Sequence, residues 1–142
     1  MPLRAVMDTN VLCAALRSRL GASFQLFQRL RNGEWVAIVS NHLVHEYEEV
    51  LKRQAGELGL SLADADELLN AICARAEEWT LQSGWNPVLM DPDDEPLVQL
   101  ASESAANRIV THNLAHLQPA VVAGIEVLNL REFLAIVIAG NV

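Results

Sequence analysis

The chain has 142 residues, 51% hydrophobic and only 5% aromatic, which fits one compact domain, 1–142, around an aliphatic core and leaves little room for a second. Its 18 acidic residues against 10 basic ones give a net charge of −8, which excludes a general polyanion binder. Lys52 is the single lysine. A protein that grips nucleic acid by neutralising phosphates needs a basic face, so any such contact here has to be local, transient or helped by a bound cation.

No apolar run approaches the roughly 20 residues of a membrane span, and the first residues pass into a strand-like segment without a signal-peptide pattern. A soluble, cytoplasmic protein with no membrane partner is therefore expected. Cys13 and Cys73 both fall in segments that read as helical and apolar, and are expected to be small core residues rather than a bridge or a zinc site.

In chain order, Leu3 to Met7 reads as a buried strand that ends at Asp8-Thr9-Asn10, where a loop begins. Val11 to Arg19 suggests a short helix. Ala22 to Arg31 repeats apolar residues at helical spacing until Asn32-Gly33 stops it. Trp35 to Val39 is a second strand. Ser40 or Asn41 caps a helix through about Arg53, with Leu43, Val44, Tyr47, Val50 and Leu51 as its apolar stripe, Glu46 at the stripe's edge and Glu49 on the far side. Ser61 and Asp64 resemble a capping box, and the helix after them carries an apolar face from Leu62 to Ala76.

Trp79 to Met90 is irregular, with a short extended piece at Val88-Leu89-Met90. The acid run Asp91-Pro92-Asp93-Asp94-Glu95-Pro96 leads into a helix from Leu97 to about Ala106, with Pro96 tolerated in its first turn. Arg108 to Thr111 is a strand closing on His112-Asn113, Leu114 to Leu117 a short helix or turn, Ile125 to Leu128 a last strand, and Arg131 to Ala139 a terminal helix. Phe133 and the run Leu134 to Ala139 belong to the core or, where exposed, to the interface of the expected homo-oligomer. Strands alternating with helices predict an α/β fold with a mostly parallel central sheet of four to five strands flanked by helices.

In an open α/β sheet, ligands bind beyond the carboxyl ends of the strands. Two polar clusters fall there: Asp8-Thr9-Asn10 after the first strand and Thr111-His112-Asn113 after the fourth. Glu46 and the acid run are the other candidates. Taken singly, Asp-Thr-Asn is a turn or cap, Glu46 a solvated helix residue, and Asp93, Asp94 and Glu95 a favourable helix start. Their order is more specific.

The sequence of strand-Asp8-Thr9-Asn10-Val11-Leu12, then Ser40 to Leu51, then Asp91 to Leu97 with Leu100-Ala101, then Ile109-Val110-Thr111, resembles PIN-domain proteins. The similarity runs from about Leu3 to Leu134, and the nearest branch is that of VapC-like ribonucleases, the toxins of type II toxin–antitoxin pairs. The resemblance implies a PIN-like (Rossmann-like) three-layer fold, a Mg²⁺- or Mn²⁺-dependent endoribonuclease acting on RNA, and a protein antitoxin as partner. It makes Asp8 and Glu46 the first two carboxylates of the site. Alignment of Leu97 and Leu100-Ala101 with the family's helix puts Glu95 third, with Asp94 the alternative. At the fourth position the family usually has Thr-Gly-Asp before a further Asp-Leu pair, whereas this chain has Thr111-His112-Asn113 and then His116-Leu117, so Asn113 and His116 stand where aspartates are expected.

Clustered carboxylates suit Mg²⁺, a hard cation bound through oxygen that usually keeps several waters. Such a site lowers the pKa of a bound water and stabilises charge on a phosphate. Thr9 and Thr111 are placed to hydrogen-bond a carboxylate or a water, and Asn10 to orient Asp8. Asn113 offers an amide oxygen without charge, which lowers the expected metal affinity; His112 or His116, turned inward, would favour Mn²⁺. Asp91 or Asp93 would compensate for the missing charge. Arg17 and Arg19 are candidate phosphate contacts, with a solvated loop as the simpler reading, and His42 and His45 read as surface residues. Two other functions compete: a non-catalytic PIN domain binding RNA or protein, and a phosphotransfer domain with Asp8 as nucleophile. The second needs a late-strand lysine, which the chain lacks.

Overall fold

Ala5, Val6 and Met7 are consecutive and all fully buried. Successive strand residues point to opposite faces, so this strand is covered on both sides, as in a parallel sheet packed between helices. The computed structural model describes residues 3–17, 21–59, 61–89 and 92–140. Within them the chain runs β1 (Leu3–Met7), α1 (Thr9–Arg17), α2 (Ala22–Arg31), β2 (Trp35–Val39), α3 (Asn41–Glu57), α4 (Leu62–Ala74) and β3 (Ala76–Glu78). It continues with α5 (Glu95–Glu103), β4 (Arg108–Val110), α6 (Leu114–Leu117), α7 (Pro119–Val122), β5 (Glu126–Leu128) and α8 (Leu130–Gly140).

Among the described residues the five strands form one sheet in the order β3-β2-β1-β4-β5, and every pairing is parallel. The chain builds outward from β1 through β2 to β3, then returns past β1 to lay down β4 and β5. The order therefore reverses between β1 and β4, the place where an open α/β sheet leaves a crevice at its carboxyl edge.

Local chemistry sets the helix ends. Ser40, in extended backbone, accepts the Leu43 N–H on its hydroxyl and starts α3, which buries Leu43, Tyr47, Leu51 and Ala55 at four-residue intervals. Ser61 and Asp64 form a reciprocal capping box at α4. α2 stops where Gly33 takes a φ of +76°, a conformation glycine adopts without a Cβ penalty.

Two expectations fail in the middle of the chain. The apolar helical pattern continues through Ala76, but α4 ends at Ala74 and Ala76-Glu77-Glu78 is a strand, paired Ala37 to Ala76 through Val39 to Glu78. Alanine and glutamate favour helix in isolation, and pairing with the exposed edge of β2 overrides that preference. Val88-Leu89 is irregular rather than extended, and Met90 lies outside the described residues. Cys73 is likewise no core residue: it is exposed on α4, while Cys13 is half-buried. α8 splits the apolar run by face, burying Leu134 and Val137 and leaving Ile138 exposed. No helix among the described residues is long and apolar enough to cross a membrane.

The placement of α5 decides where the acid run ends up. The Arg4 guanidinium, near the start of β1, donates to the carbonyl of Ser104 at the helix's C-terminal end, at 2.9 Å. α5 packs along β1 and β4 from there. A helix of this length, Glu95–Glu103, rises about 13 Å, close to the reach of the strand steps from Arg4 to Asp8. The N-terminal end of α5, with Asp94 and Glu95, therefore lies toward the carboxyl edge of the sheet.

The core is anchored by Trp35 and Phe133, whose rings meet edge to face at 5.2 Å, with the Trp35 indole N–H donating to the Leu26 carbonyl at 2.9 Å. Phe133 is fully buried, so Phe133→Ala is expected to destabilise the fold by about 3–5 kcal/mol. Urea unfolding should show the midpoint falling with an unchanged slope.

Candidate metal centre

The ladder between β1 and β4 pairs Val6 with Ile109 and Met7 with Val110. It continues one step when the Asp8 N–H donates to the Val110 carbonyl at 2.9 Å, while the Thr111 N–H donates to the Leu128 carbonyl at 3.0 Å. Asp8 and Thr111 thus leave adjacent strands side by side at the reversal point. The Thr111 hydroxyl donates to Asp8 Oδ2 at 2.8 Å and accepts the Asn113 N–H at 3.0 Å. The Asn10 amide lies 3.4 Å from Asp8 Oδ2, and its oxygen accepts the His112 N–H at 3.2 Å. Asp8 is only 9% exposed and Thr111 fully buried.

Glu46 arrives from α3. The Thr9 hydroxyl, one residue after Asp8, donates to Glu46 Oε1 at 3.0 Å. His42, one turn earlier on the same helix and exposed, has Nε2 3.8 Å from Glu46 Oε2. Tyr47 ties the two segments together from beneath: its hydroxyl, fully buried, donates to the carbonyl of Met7, the residue before Asp8. The stripe pattern marks Tyr47 only as apolar. The signal that points further is chemical, since a buried tyrosine needs a partner for its hydroxyl.

Burial pushes the Asp8 carboxyl above its ordinary value of 3.8; the Thr111 hydroxyl and the Thr9 and Asn10 N–H groups oppose the rise, and the like charge of Glu46 adds to it. Burial, with Asp8 and Glu46 close by, also holds the Tyr47 phenol well above its usual range. Two neighbouring carboxylates, one of them desolvated, bring oxygen donors of one sign together, a chemistry that fits a hard divalent cation.

The acid run divides. Glu95 is buried, and its carboxylate accepts three N–H groups: the Trp85 indole at 2.9 Å and the Val88 backbone at 2.7 Å on Oε1, and the Leu89 backbone at 2.9 Å on Oε2. Burial raises its pKa, but the three donors outweigh that and leave it lowered. Asp94 occupies the N-cap position of α5, half-buried, and its side chain makes no capping bond to the helix. Asp93 is exposed, and Asp91 lies outside the described residues. Among the described residues no three or more histidine, cysteine, aspartate or glutamate side chains are gathered into a ready ligand set.

Asn113, His112 and His116 are exposed. The Asn113 side chain makes no capping bond at the start of α6. Arg17 is exposed and donates to Gln54 at 3.0 Å, and Arg19 lies outside the described residues.

A family model described as "PIN domain" matches residues 4–115. Comparison with curated protein sequences gave no match. Among solved structures, the fold is similar to a chain of VapBC2 from Rickettsia felis, bound to a DNA fragment from their promoter. The TM-score is 0.61 at 12% identity, covering 89% of this chain and 98% of that one.

The geometry sets two expectations for stability. Tyr47→Phe leaves the Met7 carbonyl without its donor and is expected to lower stability by roughly 1–2 kcal/mol, read from thermal or urea unfolding. For Asp8, a folded pKa above the unfolded one means that the folded state binds the extra proton. The contribution of Asp8 to stability is then fully present below the ordinary carboxylate value of 3.8 and is lost as pH rises through the raised one. Asp8→Asn should remove that decline and raise Tm at neutral pH relative to wild type, read from thermal unfolding across a pH series.

Proposed function

The chain belongs to the PIN-domain family, and on that premise we propose that it is a metal-dependent endoribonuclease, the toxin of a type II toxin–antitoxin pair. The observation that carries this reading is the pairing of Asp8 and Glu46 at the sheet's reversal point, each carboxylate oriented by a threonine hydroxyl. In this reading Asp8 and Glu46 would hold the cation, Mg²⁺ or Mn²⁺, and Asp94, at the start of α5, would complete the set. Once bound, the ion supplies a water nucleophile at neutral pH and counter-charge for the scissile phosphate. Thr111 and Asn10 keep Asp8 in place, Thr9 does the same for Glu46, and Asn113 stands by as a neutral oxygen donor. With a net charge of −8, the chain depends on that cation to bring a phosphate to an acidic edge. The likeness to a chain of VapBC2 supports a protein antitoxin as partner.

The exposed, uncharged Asn113 and the lack of a gathered three-acid set among the described residues favour a second reading, a PIN domain that binds RNA or protein without cutting. Calorimetric titration with Mn²⁺ separates the two: binding that disappears in Asp8→Ala speaks for the enzyme.

For the cleavage itself, wild type is expected to cut a panel of structured and unstructured RNAs with Mn²⁺ or Mg²⁺ and to stop in a chelator. Asp8→Ala and Glu46→Gln should each lower the rate by at least about 100-fold, the scale of losing a group that assembles the reacting centre. Cleavage that survives in Asp8→Ala, or proceeds equally in the chelator, sinks the proposal.

A further inference from the structure

Glu95 is the acid that the family resemblance favours as third ligand, with Asp94 the alternative, yet its carboxylate is engaged elsewhere. Both oxygens accept hydrogen bonds, three in all, between 2.7 and 2.9 Å, and every donor comes from the segment Trp85 to Leu89. Two of the donors are consecutive backbone N–H groups, and the third is the indole of a half-buried tryptophan packed against the core. A carboxylate buried with three donors is one of the stronger neutral-pH anchors a chain can build, because each bond is charge-assisted. Three of the roughly four lone-pair sites of Glu95 are thereby taken, the carboxylate is turned to that segment, and among the described residues it joins no cluster of three side chains able to hold a metal.

The bonds also have a topological effect. They join residue 95 to residues 88 and 89, and Asp94 is the residue immediately before that junction. Beside that junction the Glu95 N–H donates to the Pro92 carbonyl at 3.3 Å and the Leu97 N–H to the Asp94 carbonyl at 3.1 Å, a turn that leads into the first residues of α5. The C-terminal end of that helix is held by Arg4. Asp94 therefore directly precedes a fixed point, Glu95, which is bonded to the Trp85–Leu89 segment and opens the helix along β1.

We propose that Glu95 is a positioning residue rather than a metal ligand: it clamps the Trp85–Leu89 segment and so fixes where Asp94 meets the edge that carries Asp8 and Glu46. The metal half of this rests on the proposed nuclease function. The clamp half does not.

The test is residue-resolved amide exchange at Val88 and Leu89, alongside Mn²⁺ calorimetry, in wild type, Glu95→Gln and Trp85→Phe. Glu95→Gln keeps the size of the side chain while removing its charge and one acceptor oxygen. Exchange at the two amides should quicken by about tenfold or more. Mn²⁺ binding should weaken by roughly tenfold and be restored at higher Mn²⁺, whereas Asp8→Ala abolishes it. Trp85→Phe should shift both readouts in the same direction by less. In wild type, saturating Mg²⁺ should leave the two amides protected.

Amides that lose protection when Mg²⁺ binds wild type would show Glu95 turning to the metal and overturn the proposal. So would unchanged exchange in Glu95→Gln, or faster exchange with unaltered Mn²⁺ affinity. If wild type binds neither metal, the metal-dependent nuclease function fails, and the exchange arm, which needs no metal, still decides whether Glu95 clamps the segment.

Discussion

Met7 faces Val110 across the β1–β4 ladder, and the bond from the Asp8 N–H to the Val110 carbonyl carries that register one residue beyond the strand. Everything polar at the carboxyl edge is placed by this step. Because the side-chain period of a strand is two, a slip of one residue would turn Asp8 toward the opposite face and bring Met7 to the edge in its place. The slip is resisted because Ala5, Val6 and Met7 are buried on both faces and because Tyr47 is bonded to the Met7 carbonyl. The hydroxyl of Thr111 reaches Asp8 as a consequence of the register, without a loop having to find it.

The same constraint creates an electrostatic cost. Asp8 leaves the ladder into a desolvated position, and α3 brings Glu46 to the neighbouring threonine rather than an arginine or lysine to the aspartate. A fold selected only for stability would not place two acids so. The hydrogen bonds from Thr111 and Asn10 offset part of the penalty, and they also hold the carboxylate in one orientation. Stability is thus given up at the carboxyl edge of the sheet, where the two acids meet.

How far the sequence shows this depends on whether the determinant is local. Strand β1, the helices with caps at Ser40 and Ser61, and the Asn32-Gly33 stop are legible because each is written in adjacent residues. Asp8 with Thr9, and Thr111 with Asn113, are legible as clusters at strand ends. Strand β3 is not, since Ala76-Glu77-Glu78 has the composition of a helix and becomes a strand only because β2 offers an edge. The orientation of Glu95 is hidden for a similar reason: its donors lie in an irregular stretch whose sequence gives no period, so Asp91, Asp93, Asp94 and Glu95 cannot be told apart by spacing alone. The role of Tyr47 is masked by the stripe it belongs to.

The two ends of the sheet carry a different consequence. β3 and β5 are each three residues long; β3 has two glutamates, and β5 begins with one. Such short borders, their Glu77 and Glu126 paired with Arg4 of β1 and Arg108 of β4, give an incoming strand little backbone to pair with. Growth of the sheet by β-augmentation is thereby discouraged.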